Sequence, residues 1–299
     1  MTHARAVGWM VVATLMWSIG GVVSRHLESA RGFEVTFWRS LVAALTVAIW
    51  VVARQGPAGL AAVARSERIV WASGVLWAVM FTCFMLALSL TRVAHVLITQ
   101  SLGPVFTALL AGWVLRRPVG ARTWAAIVVA AGGVCSMYIF DIGDWSGDHA
   151  LGVLVALGIP VAGAINWILV QQAGRGPDLS RAVLIGGAIS AAATLPLAWP
   201  LQAGAHDLAW LTLLGVVQLG IPCILVMHVA RYLSAAETSL LTLLEVIFGI
   251  AWTWWLGGET PGLATLLGGA AVLAALAYHE TMRPGTPSPG GKRPGPAPP

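Results

Sequence analysis

Long uncharged stretches alternate with short charged breaks along the whole chain. Ten such stretches run over residues 6–24, 33–53, 69–90, 93–115, 121–140, 150–172, 180–201, 208–231, 236–257 and 262–280. A helix rises about 1.5 Å per residue and the hydrocarbon of a bilayer is about 30 Å thick, so about 20 apolar residues cross it. The pattern predicts an all-α, polytopic membrane protein of ten transmembrane helices. The first stretch exceeds the usual apolar core of a signal peptide, and no A-x-A cleavage pattern follows it, so it reads as a span. The segment 283–299, "RPGTPSPGGKRPGPAPP", is rich in Pro and Gly and reads as a disordered tail.

Composition agrees with this pattern. The chain has 299 residues, 58% of them hydrophobic and 10% charged. Ordinary soluble domains carry about 25% charged residues, and a body of this size could not cover itself with so few. Charge then orients the spans. With the N-terminus in the cytoplasm, 13 of the 17 Lys and Arg fall in cytoplasmic segments and three in outer ones, leaving Arg39 within a span. The positive-inside rule therefore puts both termini, and the tail, in the cytoplasm. Arg greatly outnumbers Lys, which suits a GC-rich genome and a bacterial inner membrane. The net charge of +5 is a product of topology and calls for no nucleic acid. Cys83, Cys135 and Cys223 are scattered in apolar runs, so neither a disulfide nor a metal site is expected, and no cofactor motif occurs. No G-x-x-x-x-G-K-[ST] loop is present to bind ATP.

The two halves resemble each other. An offset of 142 residues lays Trp113 on Trp255, Phe106 on Phe248 and Val119-Gly120 on Pro261-Gly262. Two five-helix repeats, 6–140 and 150–280, follow. Five is odd, so the second repeat enters the membrane from the opposite side. Inverted repeats of this kind serve alternating access in secondary transporters, with substrate near the midplane.

Polar residues inside spans are the candidates for that site. Glu245 lies about ten residues into the ninth stretch, close to mid-bilayer, where a charge costs about 2.5–3.5 kcal/mol on insertion scales. Thr238, Thr242, Glu245, Gly249 and Trp252 recur at helical spacing and share one stripe. The repeat offset carries Thr242, Glu245 and Gly249 onto Gln100, Gly103 and Thr107 of the fourth stretch, so two related spans present small and polar faces at one depth. A central cavity between them explains both stripes. Glu245 then binds an amine of the substrate, carries a coupling proton, or stays neutral and only bonds a neighbouring helix. Asn166, Gln218 and the deeply placed Trp17 are further candidates for the lining. His95 is a candidate proton relay near a helix end. Arg39 either pairs with Glu34 or a helix-end carbonyl or contacts a substrate carboxylate. Gly20-Gly21, Gly132-Gly133 and Gly268-Gly269 read as close-packing points between helices.

Several of these stretches resemble the signatures of the drug/metabolite transporter superfamily, EamA-like branch. "LMWSIGGVVSR" (15–25) is similar to its first helix, "FWRS" (37–40) to the Arg of its second, "LGPVFTALLAGWVLRR" (102–117) to its fourth and "TSLLTLLEVIFGIAWTWWLGGE" (238–259) to its ninth. The chain departs from the pattern at Arg117, where the family has an acid, and at Val246, where it has Pro. The resemblance implies a permease or exporter of small organic metabolites, such as amino acids and related compounds. A carrier of nucleotide-sugars or phosphorylated metabolites is the alternative within the superfamily. An intramembrane enzyme would need a nucleophile and base, or a metal cluster, at one depth, and the sequence offers none.

Overall fold

The computed structural model describes residues 1–24, 26–91, 93–114, 116, 119–137, 147–174, 178–257 and 262–281. The tail at 283–299 lies outside them. The helices are α1 (His3–Ser18), α2 (Gly20–Ser24), α3 (Phe33–Gln55), α4 (Ala58–Ala61), α5 (Arg68–Leu90), α6 (Val93–Gln100), α7 (Gly103–Val114), α8 (Ala121–Met137), α9 (Gly147–Ala156), α10 (Gly158–Ala173), α11 (Ser180–Ala198), α12 (Ala205–Leu213), α13 (Ile221–Val229), α14 (Ala235–Thr242), α15 (Leu244–Gly257) and α16 (Leu263–Thr281). A π-helix, Leu214–Gly220, joins α12 to α13. No strand occurs among the described residues.

Among the described residues, seven helical segments are long and apolar enough to cross a membrane: His3–Ser24, Phe33–Gln55, Arg68–Leu90, Ala150–Ala173, Ser180–Ala198, Ala205–Tyr232 and Ala235–Leu256. Three shorter apolar helices, Gly103–Val114, Ala121–Ser136 and Leu266–Tyr278, fall where the hydrophobic pattern places spans four, five and ten. Large apolar side chains point outward, with Ile49 70% and Leu154 65% exposed. Water would not tolerate such a surface over a whole protein, and hydrocarbon does. The chain is a multi-pass membrane protein.

Proline explains why the segments break where they do. Pro lacks an N–H and cannot donate to the carbonyl four residues back. Pro104 stands four residues after Gln100, where α6 stops; Pro160 stands four after Ala156, where α9 stops. Pro222 stands four after Gln218, within the π-helix. The ninth stretch has Val246 in place of Pro and breaks all the same. There the Val246 N–H bonds the carbonyl of Leu243 at 3.1 Å, three residues back instead of four. The breaks after α6 and after α14 include Ser101 and Leu243, which the repeat offset superposes. Each follows a helix of eight residues.

Between helices in lipid, packing and hydrogen bonds replace hydrophobic burial as the cohesive force. The interface of α11 with α3 and α5 rests on small residues. A Cβ on Gly186 would lie 2.5 Å from the Trp77 side chain, and one on Gly187 would lie 2.9 Å from the carbonyl of Ser40. Ser40, Ser190 and Thr82 join the same three helices through hydroxyl contacts of 3.0 Å, each worth on average about 0.6 kcal/mol in a membrane. Between α8 and α16, Gly133 meets the carbonyl of Gly268, 2.7 Å from where its Cβ would stand. Gly20 approaches Gln218, whereas a Cβ added to Gly21 or to Gly132 would meet no atom within 4 Å. Adjacent helical residues point about 100° apart, so only one glycine of such a pair can face the neighbour.

Carboxylates tie the ends of the bundle. Glu34 of α3 accepts the backbone N–H groups of Gln202 and Ala203, both at 2.8 Å. Asp207 of α12 accepts those of Glu28, Ser29 and Ala30 at 2.8–2.9 Å. Each of two loops is thus held by an acid from the other's helix pair. At the opposite end, Glu237 is buried, closes a capping box with Ser234 and contacts His3. Also at that end, Asp178 accepts from Ser180 and from Gln55 Nε2 (2.7 Å), joining α11 to α3. Burial opposes ionisation of Asp178, but the bonds from Ser180 and Gln55 and the charge of Arg181 outweigh it and hold the carboxyl below its ordinary range. A lowered folded-state value stabilises the protein above the ordinary carboxylate range, and that contribution is lost as pH falls through the lowered value. Asp178→Asn should therefore lower the melting temperature at pH 7, and by progressively less as the pH falls below the ordinary carboxylate range, as pH-resolved melting curves would show.

Candidate functional site

The breaks surround one cavity. It has a volume of about 120 Å³ and lies between α1, α3, α5, the α6–α7 break, α10, the π-helix and the α14–α15 break. Trp17, Arg39, Gln100, Gly103, Gln218, Thr242 and Glu245 line it.

Two opposite charges face this space without meeting. Arg39, about two turns into α3, is 4% exposed. Its guanidinium carbon lies 5.7 Å from the centroid of the Phe84 ring, and its Nε has no acceptor. Glu34, the partner the sequence offers it, is committed to Gln202 and Ala203 instead. Glu245, in the first turn of α15, accepts a bond of 3.2 Å from Gln100 Nε2. No nitrogen of Arg39 comes within 4.0 Å of the Glu245 carboxylate. A buried charge without a partner is costly, so both groups are poised to gain from a ligand that carries the complementary charges.

The remaining polar atoms show the same incompleteness. Gln218 donates its Nε2 to the Trp17 carbonyl at 3.2 Å, which leaves its Oε1 without a donor. Gln100 Oε1 is likewise unpaired, as is the indole N–H of Trp77. Thr242 is used locally: its hydroxyl donates to the Ser239 carbonyl at 2.6 Å. An aromatic wall completes the cavity, with Trp77 packed on Phe81 and edge-on to Trp167 at centroid distances of 5.3 and 6.0 Å.

Three sequence candidates point elsewhere. Thr107 is buried and donates to the Gly103 carbonyl one turn back, at 2.8 Å. Asn166 lies in the helix packing, where it accepts from Ser73 Oγ at 2.6 Å. Gly249 backs onto Ser18 of α1, beside the bond from Trp252 Nε1 to Ser18 Oγ. Thr242 and Glu245, on either side of the break at Leu243, line the cavity, whereas Thr238, Gly249 and Trp252 do not, so the stripe from Thr238 to Trp252 does not face one space. The side chain of His95 lies outside the described residues. Sequence reasoning missed Trp77, Phe81, Phe84, Pro160, Gly163 and Trp167, which also line the cavity. Their signal was present: Trp77, Phe81 and Phe84 recur at helical spacing, as do Pro160, Gly163 and Trp167.

Known proteins resemble the chain along most of its length. The profile of the EamA-like transporter family matches residues 4–139 and again residues 150–278. The pseudopaline exporter CntI of Pseudomonas aeruginosa, from strains UCBPP-PA14 and PAO1, is 24% identical over 279 residues, spanning 91% of this chain and 95% of the relative. One protein of known crystal structure shares the fold, with a TM-score of 0.79 at 16% identity over 93% of this chain and 97% of that one. A profile that matches nearly the whole chain, on helices that cross a membrane around one cavity, decides the matter: this protein belongs to the EamA-like transporter family.

Proposed function

We propose that the protein is a secondary transporter that exports small zwitterionic metabolites, amino acids or close relatives, across the bacterial inner membrane. The observation that carries this reading is the unbridged pair of Arg39 and Glu245 in one aromatic-walled cavity. A carboxylate of the substrate would meet the guanidinium, and its ammonium would meet Glu245, Gln100 and Gln218. The apolar part would lie against Trp77, Phe81 and Trp167. Export is the activity in the name of the Pseudomonas relative. A phosphorylated substrate would call for more positive charge than Arg39, the one cation among the described lining residues.

Ten spans in two inverted repeats, 6–140 and 150–280, rock about this cavity with both termini in the cytoplasm. The family profile matching twice supports the repeats, and so do the breaks at Ser101 and Leu243, 142 positions apart. Gradients of substrate or of protons supply the driving force, with Glu245 as the coupling group. In liposomes holding the purified protein, labelled neutral amino acids should enter saturably, and entry should respond to an imposed pH gradient. Amines and carboxylates lacking the opposite charge should enter at least about tenfold more slowly, since each forfeits one charged contact of about 1.5–3 kcal/mol. Equal rates for all three classes would refute the zwitterion reading.

A further inference from the structure

The glycines of this protein differ in what an added methyl would meet. Several are demanded by contact. A Cβ on Gly158 of α10 would lie 2.8 Å from Cys83 Sγ, and one on Gly74 of α5 would lie 2.6 Å from the Ile185 side chain. Others, such as Gly21 and Gly132, are exposed, and their Cβ would meet no atom within 4 Å. Gly103 and Gly163 belong to neither class. Both are buried, and both line the cavity. A Cβ on Gly103, at the start of α7, would lie 3.4 Å from Ser239 Oγ and 3.9 Å from Pro160 Cβ. One on Gly163, a turn beyond Pro160 in α10, would lie 3.5 Å from Met80 Sδ and 3.9 Å from Trp167 Nε1. These are ordinary van der Waals separations, and all four neighbours line the same cavity.

Helix packing therefore does not account for these two glycines. Backbone conformation does not either, since both lie within α-helix, where Ala is the better former. What glycine supplies at both positions is room inside the cavity. A methyl group takes up about as much space as a water molecule, about 30 Å³, and the cavity holds about 120 Å³. Gly103 approaches Pro160 and Gly163 follows it by one turn, so both open the same wall, beside Trp167. We propose that Gly103 and Gly163 set the size of the substrate: they keep open the space for its apolar part and so select zwitterions with bulky apolar side chains over small ones. This rests on the reading of the cavity as the transport site. Arg39 and Glu245 would hold the charged groups that all amino acids share, and the glycines would discriminate among the parts that differ. A small side chain would leave the space unfilled and forgo its burial.

Thermal melting of the purified protein reads binding as a saturable rise in melting temperature. The probes are alanine, leucine and phenylalanine, and the amines that lack their carboxylates: ethylamine, isopentylamine and phenethylamine. Leucine and phenylalanine should half-saturate at least about tenfold below alanine, the discrimination that added methylenes allow in an apolar pocket. Gly103→Ala and Gly163→Ala should each raise those two values about tenfold and leave that of alanine unchanged. Without ligand, each variant should melt at or above the wild-type temperature, because no contact is strained and Ala favours helix. Gly132→Ala, whose methyl would meet no atom within 4 Å, should change no half-saturating value. A large drop in melting temperature would return the two glycines to a packing role. Equal shifts for alanine, leucine and phenylalanine, or no shifts, would remove them from size selection. Either result overturns the proposal. The two probe series separate it from the zwitterion reading. Amines that bind as well as the amino acids, and lose their size ranking in the variants, keep the role of the glycines and refute the zwitterion requirement. Amino acids that bind better than amines, with a ranking the variants do not alter, keep the zwitterion and refute size selection. No saturable response to either series overturns both.

Discussion

Glu245→Gln should reduce zwitterion uptake on the order of 100-fold and flatten its dependence on an imposed pH gradient. The substitution keeps the size and the hydrogen-bonding reach of the side chain and removes one charge from a cavity that already holds Arg39. The substrate ammonium would then be desolvated without an anionic partner. Truncating one member of a buried charge pair costs about 2–5 kcal/mol, much of it the penalty on the charge left behind. The Gln100 amide, which now donates to Glu245, would still find an acceptor in the new Gln, so folding should survive. Initial rates in liposomes, with and without a proton gradient, and melting curves on the same preparation make the measurement. Uptake and pH response both unchanged would return Glu245 to the role of a helix-to-helix contact. The reciprocal change, Arg39→Gln, should cost a comparable factor for zwitterions and little for amines lacking a carboxylate.

Gly215→Val should produce a second large effect, on the fold itself. Gly215, the second residue of the π-helix, faces α3, and its Cβ would stand 2.4 Å from Val42 Cβ and 3.1 Å from the carbonyl of Arg39. The first of these neighbours is a β-carbon and the second a backbone atom, so neither can swing away as a long side chain could. Overpacking of this kind costs about 1–3 kcal/mol in soluble cores, more where backbone must move. The displaced backbone is that of Arg39, so any protein that still folds should lose zwitterion transport as well. Gly132→Val, with nothing within 4 Å of the new Cβ, is the matched control and should melt within about 0.5 kcal/mol of wild type, as ordinary surface changes do. A Gly215→Val protein as stable and active as that control would mean α3 and the π-helix slide past each other freely.

Much of this molecule is legible in one dimension because lipid imposes a simple rule on sequence. Each backbone polar group must be satisfied within its own segment, so spans are long, uncharged and easily counted. A mid-membrane acid is equally visible, and Glu245 does face the cavity with Gln100, Gly103 and Thr242 of the two stripes. The stripe argument assumes that all residues on one helix face meet one space, and Gly249 and Trp252 meet Ser18 of α1 instead. Asn166 shows a different limit: a polar residue at mid-span must face inward, but inward includes helix contacts such as Ser73 as well as the cavity. The aromatic wall was hidden for the opposite reason. Trp77, Phe81 and Trp167 are apolar in an apolar chain, and only their neighbours in space distinguish a binding wall from packing. The prolines were the underused signal, since Pro104, Pro160 and Pro222 each mark a break at the cavity four residues upstream.

The contact between Gly133 and Gly268 has a consequence for how the protein is made. The face of α8 that receives the Gly268 carbonyl is finished early in synthesis, and its partner α16 emerges about 135 residues later, roughly 7–27 s at ribosomal rates of 5–20 residues per second. During that interval the groove on α8 must be occupied by lipid or by the insertion machinery. The last helix therefore completes the first half of the protein as well as the second, and a chain released before α16 would leave the translocon with an open seam on a segment inserted long before.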